Sequence, residues 1–316
     1  MKKRVLLLVG PTGVGKTLVA LEIAKQFATE IISADSRQVY KFMDIGTAKP
    51  SHEQMAAVPH HFIDIKYPDE YYSAGQFGQD ARKCVKEIFK RGKQPIVVGG
   101  SGLYIRALVD GLFEPKVADD TVKNKLKKEV QERGISELHK RLKSIDPVTA
   151  DKLNTTDTQR ILRALEVYQV SGQPFSAFLA KQPEPADFEP CFIGFTMDRK
   201  KLYAKIEARI DAMLKRGFLD EVLDLQNKGY GSHLNSLQTV GYKEAFLYLE
   251  KTINYSEMVR LFKQKTRNYA KRQLTWFKKD KRIHWVNLSS FPNQNDLADY
   301  IVQIFDKPEI LSTKLA

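Results

Sequence analysis

The segment Val5-Leu-Leu-Leu-Val-Gly-Pro-Thr-Gly-Val-Gly-Lys-Thr17 decides the fold of this chain. Its apolar run, Val5–Val9, is typical of a short strand that is buried on both faces. A P-loop pattern, Gly-x4-Gly-Lys-[Ser/Thr], follows immediately, and Thr17–Phe27 then has helical periodicity. Glycines let successive backbone N–H groups curl around oxyanions, and the next helix presents its positive end. The segment therefore predicts a strand, a loop that binds a polyphosphate or diphosphate, and a helix.

Strand and helix patterns alternate through the next hundred residues. Glu30–Ala34, His61–Ile65 and Pro95–Gly99 have the composition of buried strands, and Ala74–Arg91 has that of a helix. Strands that alternate with helices favour a parallel sheet with helices on its faces. We therefore predict an α/β fold with a P-loop-type parallel sheet flanked by helices.

The pattern changes after Phe113 and returns near residue 191. Helical spacing covers Asp119–Leu142, a stretch from Asp146, and Thr158–Ser171, and the proline-containing segment 182–190 is typical of a linker. We therefore predict a P-loop catalytic core of residues 1–113 and 191–316, with a helical insertion domain of residues 114–190. In the returning core, two strands and two long helices are expected: Phe192–Met197, Arg199–Lys228, Tyr255–Lys279 and His284–Leu288.

The net charge of +13 is distributed unevenly. Residues 114–190 carry 13 basic and 13 acidic side chains, whereas Arg260–Arg282 carries ten basic ones against Asp280. Such an excess suggests a polyanionic partner, although a solvated helix face has the same composition. Phe262, Tyr269 and Trp276 recur every seven residues there, a spacing more typical of a core stripe than of a stacking surface.

Several classes of protein and site are disfavoured by composition. No apolar run approaches the roughly 18 residues of a membrane span, and a P-loop rather than a cleavage site follows the first apolar run. We therefore expect a cytoplasmic protein. Cys84 and Cys191 show no CxxC pairing, and the His60-His61 pair has no surrounding metal motif.

An acidic residue follows the second predicted strand, but not the fourth. P-loop NTPases need an Asp at the end of a neighbouring strand to help hold Mg²⁺. The strand Pro95–Gly99 ends in glycines, whereas Glu30–Ala34 ends at Asp35. A carboxylate at that edge of the sheet faces the same crevice as the P-loop. Asp35 is thus a candidate for the chemistry, and a turn-capping role is equally open.

At this point the sequence resembles the bacterial tRNA dimethylallyltransferases nearly end to end. The motifs that carry the resemblance are the P-loop, Ile32-Ser-Ala-Asp-Ser-Arg-Gln-Val-Tyr40, Met43-Asp-Ile-Gly-Thr-Ala-Lys-Pro50, Pro59-His-His-Phe-Ile-Asp64, Val97-Val-Gly-Gly-Ser-Gly-Leu-Tyr104, Gln159-Arg-Ile-Leu-Arg-Ala-Leu-Glu166, Arg209–Val222, Val240-Gly-Tyr-Lys-Glu244 and Lys271-Arg-Gln-Leu-Thr-Trp-Phe277. Ser101 stands where Thr is usual in that family, and Lys123 stands where many members have Arg.

The resemblance implies transfer of a dimethylallyl group from dimethylallyl diphosphate to N6 of the adenosine just 3′ of the anticodon in tRNA. Asp35 would accept the proton, Arg209 would assist the leaving group, and Thr17 would ligate Mg²⁺. The catalytic residues would then be Asp35, Lys16, Thr17 and Arg209. The diphosphate would lie against Gly10, Pro11, Thr12, Gly13, Val14, Gly15, Lys16 and Thr17. A salt bridge to Asp211 or Glu207 is the alternative role for Arg209.

The resemblance also implies contacts with the tRNA anticodon stem-loop, partly from the insertion domain. They fall on Asp35, Ser36, Arg37, Gln38, Ser101, Lys123, Gln159, Arg160, Ile161, Leu162, Arg163, Val240, Gly241, Tyr242 and Lys243. A transferase acting on free adenine nucleotides and a P-loop ATPase or RNA-binding switch remain alternatives. We expect a monomer with no obligate protein partner and no membrane association.

Overall fold

The computed structural model describes residues 2–112, 119–180 and 183–307. Its strands are β1 Arg4–Val9, β2 Thr29–Ala34, β3 His60–His61, β4 Gln94–Gly99, β5 Glu189–Thr196 and β6 His284–Asn287. Among the described residues they form one parallel sheet in the order β3-β2-β4-β1-β5-β6. The α/β prediction is confirmed, because β1 lies in the interior of a parallel sheet and Val5–Val9 is fully buried.

Helices connect the strands and fill the rest of the chain. They are α1 Lys16–Ile23, α2 His52–Ala57, α3 Ala74–Lys90, α4 Gly102–Val109, α5 Asp120–Arg133, α6 Ile135–Ile145, α7 Pro147–Ala150, α8 Thr158–Ser171, α9 Phe175–Leu179, α10 Arg199–Lys215, α11 Phe218–Asn227, α12 Tyr242–Leu249, α13 Tyr255–Phe277 and α14 Gln294–Asp306. No helix in the described part of the chain is both long and apolar enough to cross a bilayer.

The chain divides into two compact units. The first combines residues 1–109 with 186–316 and contains the sheet, and the second is residues 110–185. The second unit has its own core, formed by α5 to α8 around Leu126, Leu138, Leu142, Ala150, Ile161, Ala164 and Leu165. These boundaries lie four and five residues before those predicted from the sequence, 114 and 190. β5 already pairs with β1 from Glu189, so the end of the expected linker segment 182–190 belongs to the sheet.

Three predicted elements differ from the structure because of local backbone conformation. A strand was expected over His61–Ile65, but β3 contains only His60–His61. The strand ends there because Phe62 and Asp64 have φ values of 65° and 56°. The helical stretches 119–142 and 199–228 are each two helices. Gly134 and Gly217 separate them at φ 77° and 89°, and an α-helix cannot continue through a positive φ.

Candidate active site

The P-loop lies between β1 and α1, with Gly15 at the N-cap of the helix. The Lys16 ammonium donates hydrogen bonds to the carbonyls of Gly10 and Pro11, both at 2.9 Å. Burial lowers the pKa of Lys16 to about 8, while Asp35 raises it and Arg209 lowers it. The charges of Asp35 and Arg209 thus both influence the ammonium of Lys16 in the P-loop.

Gln273 of α13 bridges the P-loop and the turn after β4. The backbone N–H of Thr12 donates to Gln273 Oε1 at 2.8 Å, and Gln273 Nε2 donates to the Gly100 carbonyl at 2.9 Å. The side chain is buried, and a β-carbon at Gly100 would lie 2.3 Å from Gln273 Nε2. Because both ends of the amide are engaged, α13 holds the start of the P-loop in place.

Asp35 follows β2 and uses one carboxylate oxygen to cap the next turn. Its Oδ1 accepts the backbone N–H of Arg37 at 2.9 Å and, more weakly, that of Gln38 at 3.4 Å. The capping role is therefore present. Among the described residues, none donates a hydrogen bond to its Oδ2, so a proton-accepting role remains available to the same side chain.

Arg209 of α10 does not form either salt bridge that was considered for it. Asp211 pairs with Lys263 at 2.7 Å, and Glu207 pairs with Arg267. Burial lowers the pKa of Arg209, and the charge of Asp35 raises it. Arg209 instead lines the cavity that Lys16 and Thr17 also line.

Two cavities meet beside these residues. The P-loop cavity, of about 320 Å³, is lined by Lys16 and Thr17. The α10–α13 cavity, of about 310 Å³, is lined by side chains of those two helices and by the segments 35–37 and 238–240. The residues that line both cavities are Thr12, Gly13, Asp35, Thr47, Arg209 and Tyr269. A molecule in one cavity can therefore react with a molecule in the other at this junction.

The loop that carries Thr47 is held by a carboxylate from α11. Glu221 accepts three successive backbone N–H groups, those of Asp44 at 2.8 Å, Ile45 at 2.5 Å and Gly46 at 3.1 Å. The hydroxyl of Tyr242 also donates to Glu221, at 2.6 Å. This dense set of charge-assisted bonds positions the loop at the junction.

Tyr269 lies at the junction and shows that the aromatic spacing on α13 is not a uniform core stripe. Phe262 is buried as expected of a core residue, but Trp276 is 41% exposed. Tyr269 lines both cavities, and burial raises its pKa to about 12, with Asp35 raising it further and Ser101 lowering it. Its phenol therefore stays protonated at neutral pH and can donate a hydrogen bond.

Comparison with known proteins gives the family. Residues 38–280 match the IPP transferase family. A tRNA dimethylallyltransferase of Carboxydothermus hydrogenoformans is 46% identical over 91% of this chain and 93% of that protein. One of Symbiobacterium thermophilum is 44% identical over 96% and 95%. The chain belongs to the IPP transferase family.

Solved structures of IPP transferases have the same fold. The tRNA isopentenylpyrophosphate transferase of Staphylococcus epidermidis has a TM-score of 0.70 and 39% identity, covering 97% of this chain and all of that one. A eukaryotic dimethylallyltransferase crystallised while acting on tRNA has a TM-score of 0.76 and 26% identity, covering 99% of this chain and 79% of its own.

The structure brings some of the predicted tRNA-contacting residues together in the first unit. Ser36 donates its backbone N–H to Ser101 Oγ at 3.0 Å. Arg37 donates to the carbonyl of Asn235 at 2.9 Å. Ser36 and Arg37 line the α10–α13 cavity together with Val240, so these predicted contacts share one wall.

Two other predicted contacts are engaged inside the protein. Gln38 accepts a hydrogen bond from Ser33 at 2.9 Å and donates to the carbonyls of Thr47 and Ala48. Its amide therefore holds the loop at Thr47 in the absence of RNA. Tyr242 is fully buried and bound to Glu221, and it belongs to the wall of the α10–α13 cavity rather than to the outer surface.

The remaining residues of that group lie at the start of α12. Gly241 is its N-cap, and a β-carbon there would meet the ring of Phe262, whereas Lys243 is exposed. In this stretch Lys243 is the side chain that solvent reaches most readily.

Lys123, Gln159, Arg160, Ile161, Leu162 and Arg163 belong to the second unit, on α5 and α8. Gln159 and Arg160 are exposed, whereas Arg163 pairs with Glu166 at 2.9 Å. The prediction for Ile161 needs correction, since its side chain is fully buried in the core of that unit and only its backbone is left for a contact. Leu162 also packs against this core.

The donor set of the P-loop fits a magnesium ion carried on a diphosphate. Thr17 and Asp35 both line the P-loop cavity, which therefore offers a hydroxyl and a carboxylate. No cluster of three or more His, Cys, Asp or Glu able to hold a metal occurs in the part of the chain that is described. Magnesium commonly needs only one or two protein ligands when phosphate oxygens and waters complete its shell. A hydroxyl ligand with few carboxylates therefore suits it.

Proposed function

We propose that this chain transfers the dimethylallyl group of dimethylallyl diphosphate to N6 of the adenosine just 3′ of the anticodon in tRNA. The products are N6-isopentenyladenosine and diphosphate. The observation that carries the proposal is the pair of cavities that meet at Asp35 and Arg209. One cavity is lined by residues of the predicted phosphate-binding loop, and the other is lined by residues with predicted tRNA contacts.

The diphosphate occupies the P-loop cavity. Lys16, the backbone N–H groups up to Thr17 and the guanidinium of Arg209 face its oxygens, and their positive charge stabilises the negative charge that develops as it leaves. An arginine fork suits two oxygens of one diphosphate. The hydroxyl of Thr17 would hold a magnesium ion, which would neutralise further negative charge on the leaving diphosphate.

The adenine enters the α10–α13 cavity from an unstacked position. Extruding a base costs a few kcal/mol, and the tRNA contacts around the cavity offset this cost. The adenine N6 attacks the first carbon of the allyl group, the carbon–oxygen bond to the diphosphate breaks, and one N6 proton passes to Asp35. An aromatic amine is a poor nucleophile, so a base within hydrogen-bond reach accelerates this step by roughly 10²–10⁴-fold.

The tRNA is held by charge outside the cavities. The basic segment of α13 and Lys243 contact phosphates, and the helical insertion domain, residues 114–190, contacts the anticodon stem-loop through Lys123, Gln159, Arg160 and Arg163. The core of residues 1–113 and 191–316 performs the chemistry. The reaction takes place in the cytoplasm, where tRNA is available.

Nucleoside analysis tests this proposal. The protein is incubated with magnesium, dimethylallyl diphosphate and unmodified tRNA, and the digested tRNA is analysed by mass spectrometry. Isopentenyladenosine at the position 3′ of the anticodon is expected. Unmodified adenosine at that position after prolonged incubation would refute the proposal.

Acceptor competition separates the second candidate, a transferase for free adenine nucleotides. The ten basic residues of Arg260–Arg282 disfavour it, because a mononucleotide does not need such a surface. Excess AMP is expected to leave tRNA modification unchanged. ATP hydrolysis stimulated by RNA would instead support an ATPase, which the glycines at the end of β4 disfavour.

A further inference from the structure

Exposed aromatic rings form a cluster on the first unit that the proposed chemistry does not use. Phe42 lies 5.9 Å from Tyr67 and 6.3 Å from Tyr230, measured between ring centroids. Phe42 is 39% exposed and Tyr67 is 42% exposed. The ammonium of Lys41 lies 4.2 Å from the centroid of Tyr67, and that of Lys228 lies 5.6 Å from that of Phe42. These five residues are the aromatic patch.

The backbone at Phe42 argues that its ring serves a purpose other than folding. Its φ of 67° lies in the left-handed region, where a β-carbon crowds the following carbonyl oxygen and glycine meets no such crowding. A core residue would offset this strain by burying its side chain completely, but Phe42 remains 39% exposed. Strained backbone that keeps an exposed side chain is characteristic of functional surfaces.

The patch and one wall of the α10–α13 cavity are built on the same backbone segments. Arg37 lines the cavity and precedes Phe42 by five residues, a span of at most about 18 Å. Arg37 donates to the Ser236 carbonyl, and the Ser236 hydroxyl donates to the carbonyl of Pro68, next to Tyr67, at 2.6 Å. The patch therefore lies within a few nucleotides of the cavity.

Charge around the patch favours an anionic occupant. Glu70 is already paired with Lys66 at 2.8 Å and also accepts the backbone N–H of Tyr67. Asp44, two residues from Phe42, is exposed but pairs with Lys49 at 2.6 Å. Asp69 is a second exposed acid, and the charges of Lys41 and Lys228 on the rings outnumber it. An occupant with flat apolar faces and phosphates between them matches aromatic rings interleaved with lysines.

We propose that the aromatic patch stacks unpaired nucleotides of the anticodon loop next to the target adenosine, while Lys41 and Lys228 contact their phosphates. This inference rests on the proposed function. Extrusion of the target base leaves its neighbours without a stacking partner, and the rings of Phe42 and Tyr67 provide one.

Phe42→Gly separates this role from a structural one. Glycine relieves the strain at φ 67°, so the melting temperature is expected to stay the same or rise. The dissociation constant for a fluorescently labelled anticodon stem-loop RNA is expected to increase about tenfold, because a stacking contact is lost. Tyr67→Ala is expected to weaken RNA binding similarly. Neither change should alter the dissociation constant for dimethylallyl diphosphate.

Tyr255→Ala provides the matched control, because Tyr255 is 48% exposed and its ring pairs with that of Tyr248, outside the aromatic patch. It should bind the RNA like the wild type.

Unchanged RNA binding by both Phe42→Gly and Tyr67→Ala would overturn the inference. If these variants also differ from the wild type in oligomeric state, measured by sedimentation, while their RNA binding is unchanged, the patch is a protein contact and the inference is likewise overturned. Because the assay measures binding alone, it is independent of whether the transfer reaction occurs.

Discussion

The two cavities that meet at Asp35 are built in different ways. The P-loop cavity takes most of its predicted phosphate-binding groups from one continuous segment, 10–17, with Arg209 added from α10, whereas the α10–α13 cavity is assembled from segments near residues 36, 206, 240 and 266. Phosphate recognition can be local because backbone N–H groups of one loop suffice. Recognition of a base on a folded RNA needs side chains spread over a larger surface. Changes in the P-loop cavity, the donor side, should therefore affect dimethylallyl diphosphate. Changes in the α10–α13 cavity, the acceptor side, should affect tRNA.

The largest effect on the donor side is expected from Lys16→Ala. Loss of the ammonium removes charge that stabilises the departing diphosphate, so kcat/KM for dimethylallyl diphosphate should fall by about 10²–10³. Steady-state kinetics at saturating tRNA measure this. Lys25→Ala, which removes an exposed lysine just beyond α1, is the control and should behave as wild type. A similar loss for both variants would contradict a local role of Lys16.

The pH dependence should show the depressed pKa of Lys16. In the free protein this pKa is about 8, below its ordinary value of 10.5. Loss of the ammonium proton above that pH should lower kcat/KM for the donor about tenfold per pH unit. In the unfolded chain the lysine keeps its proton to higher pH, so its contribution to stability improves between pH 8 and 10.5. An alkaline limb that persists unchanged in Lys16→Ala would assign it to another group.

Gln273→Leu tests whether α13 positions the donor side. The change leaves the Thr12 N–H and the Gly100 carbonyl without their partners, and unsatisfied buried groups cost about 1–3 kcal/mol each. We expect KM for dimethylallyl diphosphate to rise about tenfold, the cost of roughly 1.4 kcal/mol of loop distortion. Thermal unfolding, measured in parallel, separates this from global destabilisation. Arg272→Leu, the neighbouring residue on α13, should instead change tRNA kinetics.

Arg37→Ala should have the smallest effect, and this effect should be limited to the kinetics of tRNA. Its guanidinium holds the carbonyls of Asn235 and Ser236, which precede a wall of the α10–α13 cavity. Loss of about 1 kcal/mol from these bonds should raise KM for tRNA roughly fivefold. The KM for dimethylallyl diphosphate should not change. A shift in both KM values would show that the two sides are not separable.

Features that depend on consecutive residues could be predicted from the sequence, whereas contacts between distant segments could not. β1, the P-loop and Asp35 were predictable because each depends on a few consecutive residues. Gln273 contacts Thr12 across 261 residues of chain, and Glu221 contacts the loop at Ile45 across 176. No local pattern predicts such contacts, although Gln273 lies within a motif that carried the family resemblance.

Errors in the secondary structure also have local physical causes. The breaks at Gly134 and Gly217 need a positive φ that helical periodicity does not reveal. The short helix α2 was missed although Ser51 and Gln54 form a capping box, a signal that is present in the sequence. The exposure of Trp276 and the junction position of Tyr269 depend on what packs against α13, which spacing alone does not specify.

The central claim is that Asp35 accepts the proton where the two cavities meet, and the single-turnover rate of Asp35→Asn tests it most directly. Asparagine retains an oxygen that can accept the Arg37 N–H, so the turn is preserved while the base is removed. We predict a rate that falls by about 10²–10⁴ with dissociation constants for tRNA and dimethylallyl diphosphate close to those of the wild type. A rate near that of the wild type would contradict the account.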